Sequence, residues 1–552
     1  MNKQRLMDTL LKLVAVPSIS GSAGELAMAR VLHDLLLRMD YFQAHPARVS
    51  LIPAAGSPPG RASVCALFAG GGPRPTAPQA VPDAAQNTVI LLSHYDVVDT
   101  ADYGLLQEFA WQPDELQRRL QTVPLSGEAA SDLNSGAYLF GRGVMDMKFG
   151  IAMHLELLRQ WSESVPFPGN ILFLSVPDEE ANSLGMLAAV PELLRMKEDG
   201  LGFRGVINSE PFFPAYPGDP ARSIYTGTVG KLLPLVFCRG RQTHAGEPFS
   251  GLNPALMLSM VVQQVETNPA LAEASLGMTS APPVCLKICD LKESYSVQTP
   301  AAAYAYFNLI TLEREPAACL TSLKALVQTA MRETAGIARR AAADWNARAG
   351  AGASSAPAWD PPVFTFQELL EICSRSTGDS PEVLTARISS SLTTGSLQEA
   401  TAECVRQLLS YCPIQGPLAV IALAPPYYPH SSLGAGPADQ RMRKTAGLVA
   451  ARARERHGVE LVQAPFFPAL SDLSYLRLAP GGDPRPVAAN TPLWNVRYQV
   501  PLEAIHQLDL PFINIGPQGK DAHRFTERLY LPYSLDVAPD LLRYAVELLL
   551  HP

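Results

Sequence analysis

The apolar residues of this chain fall into two regimes. In the first 225 residues they form short, unbroken runs: 63–68, TVILLS at 88–93, NILFLSVP at 170–177 and GVINSE at 205–210. Runs of this length predict strands buried on both faces, in a mixed or parallel sheet with helices packed on each side. Residues 2–14 and 24–39 carry helical periodicity instead, around a loop at VPSIS, and GIAMHLELLRQW (150–161) predicts an apolar helix after a glycine stop. The stretch 70–87, rich in Gly, Pro and Ala, predicts a loop.

After about residue 225 the pattern changes. TVGKLLPLVFCRGR and VCLKICDLKESYSV predict long strands, while NPALMLSMVVQQV and residues 317–345 predict helices. This region reads as a separate α+β domain. AGAGASSAPAWDPP (349–362) predicts a flexible connector or hairpin tip. Helical stretches QELLEICSRS and QEATAECVRQLLSYC and the strand LAVIALAPP follow. From about residue 430 the first domain resumes, with the helix QRMRKTAGLVAARARERHG and the strand LPFINIGP.

What separates the two regimes chemically is the strand ends of the first. His94 and Asp96 end one run (LLSHYDVVD), Glu179 and Glu180 another (LFLSVPDEE), and Glu210 a third (VINSEP). Asp146 lies in the glycine-bracketed GRGVMDMKFG, and His523 lies just beyond LPFINIGP in GKDAHRFTE. In open α/β sheets ligands bind at the C-terminal ends of the strands. Carboxylates and imidazoles are the ligands that borderline divalent metals prefer. His94 and Asp96 alternate on a strand and so share a face. Asp96 is placed to fix a ligating imidazole, or to orient the base or a neighbouring ligand. Asp146, with two oxygens, is a candidate to bridge two ions, and Lys148 is a candidate to pair with a nearby acid. Three adjacent acids in VPDEE repel one another unless cations neutralise them. One of Glu179 and Glu180 can then ligate while the other takes a proton from water. His244, in RGRQTHAGEPFSGLNPA of the second region, is a candidate to donate to a developing oxyanion or a substrate carboxylate.

Composition narrows this further. At 552 residues two or more domains are expected, and 47% hydrophobic against 17% charged residues is a globular balance. A net charge of -8 with no Lys/Arg-rich run argues against a nucleic-acid partner. No apolar stretch approaches the ~20 residues of a membrane helix, and the start lacks the features of a secretory signal. Eight cysteines in so long a chain make no disulfide framework, and Cys285 and Cys289, the closest pair, read as buried free thiols. A reducing cytoplasm is the expected compartment.

Together, HYD, GRGVMD, DEE, SEP, THAG and a late histidine, in that order, resemble the zinc metallopeptidase family of glutamate carboxypeptidase, acetylornithine deacetylase, succinyl-diaminopimelate desuccinylase and the dipeptidases. KESYSVQTP, APPYYPH, FPALSDLSYL and GPQGKDAHRFTERLY look most like its branch of arginine-utilisation protein RocB. The resemblance implies an α/β fold: a mixed central sheet with helices on both faces, a phosphorylase/hydrolase-like catalytic domain, plus an inserted α+β lid. The catalytic domain would span 1–225 and 429–552, and the lid 226–428. His94, Asp146 and Glu210 would hold one metal ion, and Asp146, Glu180 and His523 the other. Glu179 would be the general base, Asp96 would orient His94, and His244 would stabilise the transition state from the lid. Two zinc ions are implied, with manganese or cobalt as substitutes.

The implied reaction is hydrolysis of an amide bond in a small peptide or N-acyl amino acid, in the catabolism of amino acids such as arginine, by a hydroxide activated between two metals. A ureido or amidino C–N bond on the same fold, or a binding protein that has lost catalysis, are the alternatives. Two features depart from the family pattern. The lid, about 200 residues, is enlarged, which leaves monomer and homodimer both open. The strand AYFNLITLER carries Asn308 where the pattern expects a charged residue, with Arg314 a distant substitute.

Overall fold

Every residue of Asn87–His94 and of Asn170–Val176 is buried, as unbroken apolar runs require. Each Val, Leu or Ile so buried contributes roughly 1.5–3 kcal/mol. In this computed structural model, which describes all residues except 55–59, 71–86, 164–167, 214–221, 350–357, 391, 393–394, 480–481 and 552, the chain divides into two units. The first comprises residues 1–229, 431–480 and 501–552, and the second 230–430 and 481–500.

The first unit is built on an eight-stranded mixed sheet, in the order Val49–Pro53, Ala62–Ala69, Asn170–Val176, Asn87–His94, Gly202–Asn208, Phe512–Asn514, Ser223–Tyr225, Val462–Ala464. The four strands from Asn170–Val176 to Phe512–Asn514 run parallel. Their C-terminal ends therefore open on one edge of the sheet, which brings residues distant in sequence together. Lys148–Ser162 and Ala538–Leu550 pack on Asn87–His94, and Leu184–Glu198 packs on Ala62–Ala69 and Asn170–Val176. The VPSIS segment pairs with the chain just beyond Asn87–His94: Val97 N–H donates to the Ser18 carbonyl and Ser20 N–H to that of Val97. The expected loop at 70–87 lies almost wholly outside the described residues.

The second unit is α+β. Its sheet runs Val284–Asp290, Ala302–Thr311, Pro234–Arg239, Leu418–Leu423, Val363–Thr365, antiparallel except for the last pair. Pro254–Val265 and the long helix Pro316–Ala349 pack together on it. Two long strands expected here are shorter. TVGKLLPLVFCRGR is divided into Gly227–Thr228, Gly230–Leu232 and Pro234–Arg239. VCLKICDLKESYSV stops at Asp290, whose carboxylate turns the chain by accepting the Lys292 N–H at 2.7 Å. Of the expected connector 349–362, residues 350–357 lie outside the described residues. Residues 481–500 return to this unit, where Val487 joins the core and Asn490 accepts the Gln367 N–H.

Candidate metal centre

His94 is the last residue of its strand, and its ring is 2% exposed. Nε2 lies 3.2 Å from Asp146 Oδ1, and Nδ1 lies 3.1 Å from the Asp96 backbone carbonyl. The other Asp146 oxygen, Oδ2, faces His523 Nε2 at 3.3 Å. His523 Nε2 also lies 3.0 Å from Glu180 Oε1. Asp146 thus stands between the two imidazoles, on a turn whose Asp146–Met147 peptide is cis.

Glu210 follows the neighbouring parallel strand. Its Oε1 accepts from Asn208 Nδ2 at 3.0 Å and from Ser471 Oγ at 2.9 Å. Asn514 clasps its backbone from both sides, accepting the Glu210 N–H and donating to its carbonyl. Gly516 allows this approach, since a Cβ there would sit 1.8 Å from the Glu210 carbonyl oxygen.

Ligand atoms of His94, Asp146 and Glu210 all lie within 4.8 Å of one another, as do those of Asp146, Glu180 and His523. The two groups share Asp146. Glu179 is buried outside both, and its carboxyl is held well above the ordinary range by burial and by the charges of Glu210, Asp472 and Glu180. Burial likewise pushes Glu210 up to about 7, with Asp146 adding to it. Burial alone would lower the His523 imidazole, but its hydrogen bonds to Asp146 and Glu180 prevail and push it up to about 11. Four carboxylates and two imidazoles crowded this closely carry a surplus of negative charge. Divalent cations of the borderline class fit both the charge and the donor types.

The structure gives Asp96 a specific set of contacts. Its carboxylate accepts the backbone N–H groups of Glu179 and Glu180 at 3.1 and 3.2 Å and the Ser20 hydroxyl at 2.6 Å. It lies 3.6 Å from His94 Nδ1. Lys148, expected to pair with an acid, instead donates to the Val16 carbonyl at 2.8 Å and lies 5.4 Å from the Trp111 ring. Its burial lowers the ammonium to about 7 and makes a neutral partner adequate.

His244 belongs to the second unit. It is exposed, on a loop bridged to Gln298, with Nδ1 accepting the Gly246 N–H at 3.0 Å. Arg314 donates to the carbonyls of Leu271 and Ala272, and Asn308 lies half-buried on Ala302–Thr311.

Several residues around the centre escaped the sequence reading. Asp472 is buried, and burial together with Asp96 and Glu210 raises its carboxyl well above the ordinary range. Ser471 and Asn514 hold Glu210 from 261 and 304 residues away. Arg142, another such residue, joins Asp102 and Glu527 at 2.9 Å each, and Glu527, the acid that follows His523 in the sequence motif GKDAHRFTE, accepts the Met145 N–H beside Asp146. The motif FPALSDLSYL contained Ser471 and Asp472, but an apolar setting with one acid gives no sign of a role.

Residues 90–479 match the family described as peptidase family M20/M25/M40. The chain is 38% identical to the uncharacterized protein YqjN of Bacillus subtilis (strain 168), over 99% of this chain and 97% of that one. It is 33% identical to Protein RocB of the same organism, over 98% and 94%. Among solved structures, the aminopeptidase PepT of Bacillus cereus ATCC 10987 is similar in fold, with a TM-score of 0.52, 13% identity, and coverage of 100% of this chain and 99% of that one.

Proposed function

This chain belongs to peptidase family M20/M25/M40, a family of hydrolytic enzymes, and from that premise we propose that it cleaves an amide bond in a small peptide or N-acyl amino acid. The observation that carries the proposal is the pair of three-residue groups sharing Asp146. In this reading His94, Asp146 and Glu210 hold one divalent ion, and Asp146, Glu180 and His523 hold the second, with zinc the expected metal. When bound, such ions supply Lewis acidity at the scissile carbonyl and make a water more acidic.

Glu179, buried beside both groups but in neither, takes the proton of the attacking water and returns it to the leaving amine. Asp96 positions Glu179 by accepting its N–H and orients His94 through the Asp96 backbone carbonyl. His244 stabilises the charge that develops on the carbonyl oxygen. Residues 1–229, 431–480 and 501–552 form the catalytic domain, and the second unit is the lid. The likeness to RocB supports a place in arginine or related amino-acid catabolism, and eight free cysteines support a cytoplasmic setting. Among the described residues no helix is long and apolar enough to cross a membrane.

The test is elemental analysis of the purified protein, followed by a screen of dipeptides and N-acyl amino acids with metal added back. Two ions per chain and turnover of one such class are expected. In the Glu179→Gln variant turnover falls on the order of 10²–10⁴-fold while metal content is unchanged. No metal after reconstitution, or full turnover in the variant, overturns the reading.

A further inference from the structure

Behind the DEE turn lies a buried ion cluster that no motif announced. Arg61 is 5% exposed, and it pairs with Glu25 through Nε at 2.8 Å and with Asp178 through Nη1 at 2.6 Å. Glu25 and Asp178 are 0% and 1% exposed. Among the described residues no other cation forms an ion pair with either acid.

Asp178 is the first acid of the run, and it does not face the same way as the next two. Its backbone is left-handed, with φ 68, which is uncommon for a residue with a Cβ. Its carbonyl accepts the N–H groups of Ala181, Asn182 and Ser183, and its Oδ2 accepts that of Leu184 at 3.2 Å. Asp178 therefore ties the turn from the rear. Asp96 ties it from the front, through the N–H groups of Glu179 and Glu180. The two ties meet in one short segment, because Ser20 donates to Asp96 and Gly21 N–H donates to Glu25 at 3.0 Å.

We propose that Arg61 is a positioning residue for Glu179 and Glu180: by holding Glu25 and Asp178 together it fixes the turn that aims both carboxylates, and through Glu180 it sets the affinity of the Asp146–Glu180–His523 group for its ion. The inference rests on the two-metal reading above. Removing the guanidinium takes away the one side chain that links these two buried carboxyl groups. They separate, and the turn loses its rear tie. Among the described residues, Glu210 and His94 hang on other strands and make no hydrogen bond with Arg61, Glu25 or Asp178. Lysine, a single point charge, reaches one of the two acids but not both in the forked geometry.

The experiment is zinc titration of metal-free protein against a chromophoric chelator, with unfolding temperature measured in parallel. Wild-type protein is expected to bind two ions. Arg61→Met is expected to keep one at wild-type affinity and to weaken the other by about tenfold or more, as loss of an outer support does. Adding Arg61→Met to His523→Ala is expected to cost nothing further, since both act on the same ion. Leu32→Ala, a core cavity in the helix that carries Glu25, lowers the unfolding temperature and leaves both affinities alone. If Arg61→Met does not fold, Arg61→Lys decides, with a smaller weakening of the same ion. Two unchanged affinities in the Arg61 variants, or both falling together, overturn the inference and leave Arg61 a fold-holding residue. A wild-type chain that binds fewer than two ions overturns the two-metal reading first.

Discussion

The two candidate ligand groups that share Asp146 are built to different standards. His94 and Glu210 end adjacent parallel strands, both are buried, and Glu210 is held by Asn208, Ser471 and Asn514. Glu180 sits on a turn, and His523, 48% exposed, sits on a loop in left-handed backbone at φ 65. The same donor chemistry is thus mounted once on a sheet and once on loops, which open more readily. The difference teaches that two ions in one centre need not be held alike: the sheet-mounted group is expected to bind more tightly and exchange more slowly.

Variants test that contrast in order of severity. Asp146→Ala removes the shared ligand, so elemental analysis is expected to find neither ion and assays no turnover. Retention of two ions would mean that the groups do not depend on each other through Asp146. His523→Ala is expected to lose one ion and keep the other, and in wild-type protein a chelator is expected to strip one ion well before the second. Simultaneous loss of both would erase the contrast between sheet and loop. Ser471→Ala takes one hydrogen bond from Glu210, and titration is expected to show the tighter ion weakened by roughly 10–100-fold with the looser one unmoved.

The smallest effect concerns pH. Burial, then the charge of Asp96, raises the Glu25 carboxyl to about 8 from 4.5, with Arg61 opposing and Asp178 adding to it. Across that window the folded chain keeps a proton that the unfolded chain has released. Stability therefore falls as pH rises from 4.5 through about 8. Thermal unfolding of metal-free protein across this range is expected to show the slope, and Glu25→Gln to flatten it. An unchanged slope would assign it to other groups.

Much of the centre was legible because its scaffold is written in unbroken apolar runs. The readings at 63–68, 88–93, 170–177 and 205–210 correspond to Ala62–Ala69, Asn87–His94, Asn170–Val176 and Gly202–Asn208. A run of this kind names its own end, and His94, Glu179, Glu180 and Glu210 all lie at or just beyond such ends. Helix Leu184–Glu198 was not legible, since Pro191 inside it mimics a break. Arg61 and Asn514 were not legible for another reason. Each acts on a partner more than a hundred residues away, at 117 and 304 positions, and single polar residues in apolar surroundings announce no partner. The return of residues 481–500 to the second unit belongs to the same class.

The late position of the strand Phe512–Asn514 has a consequence for how the protein is made. His94, Asp146 and Glu210 leave the ribosome early, but the Asn514 clasp on Glu210 follows 304 residues later. At ~5–20 residues per second that gap is roughly 15–60 s. During it the nascent chain displays three candidate metal ligands whose central sheet still lacks a strand. In the two-metal reading, an ion captured before Asn514 arrives would be held by an unfinished site and would exchange more freely than one bound afterwards.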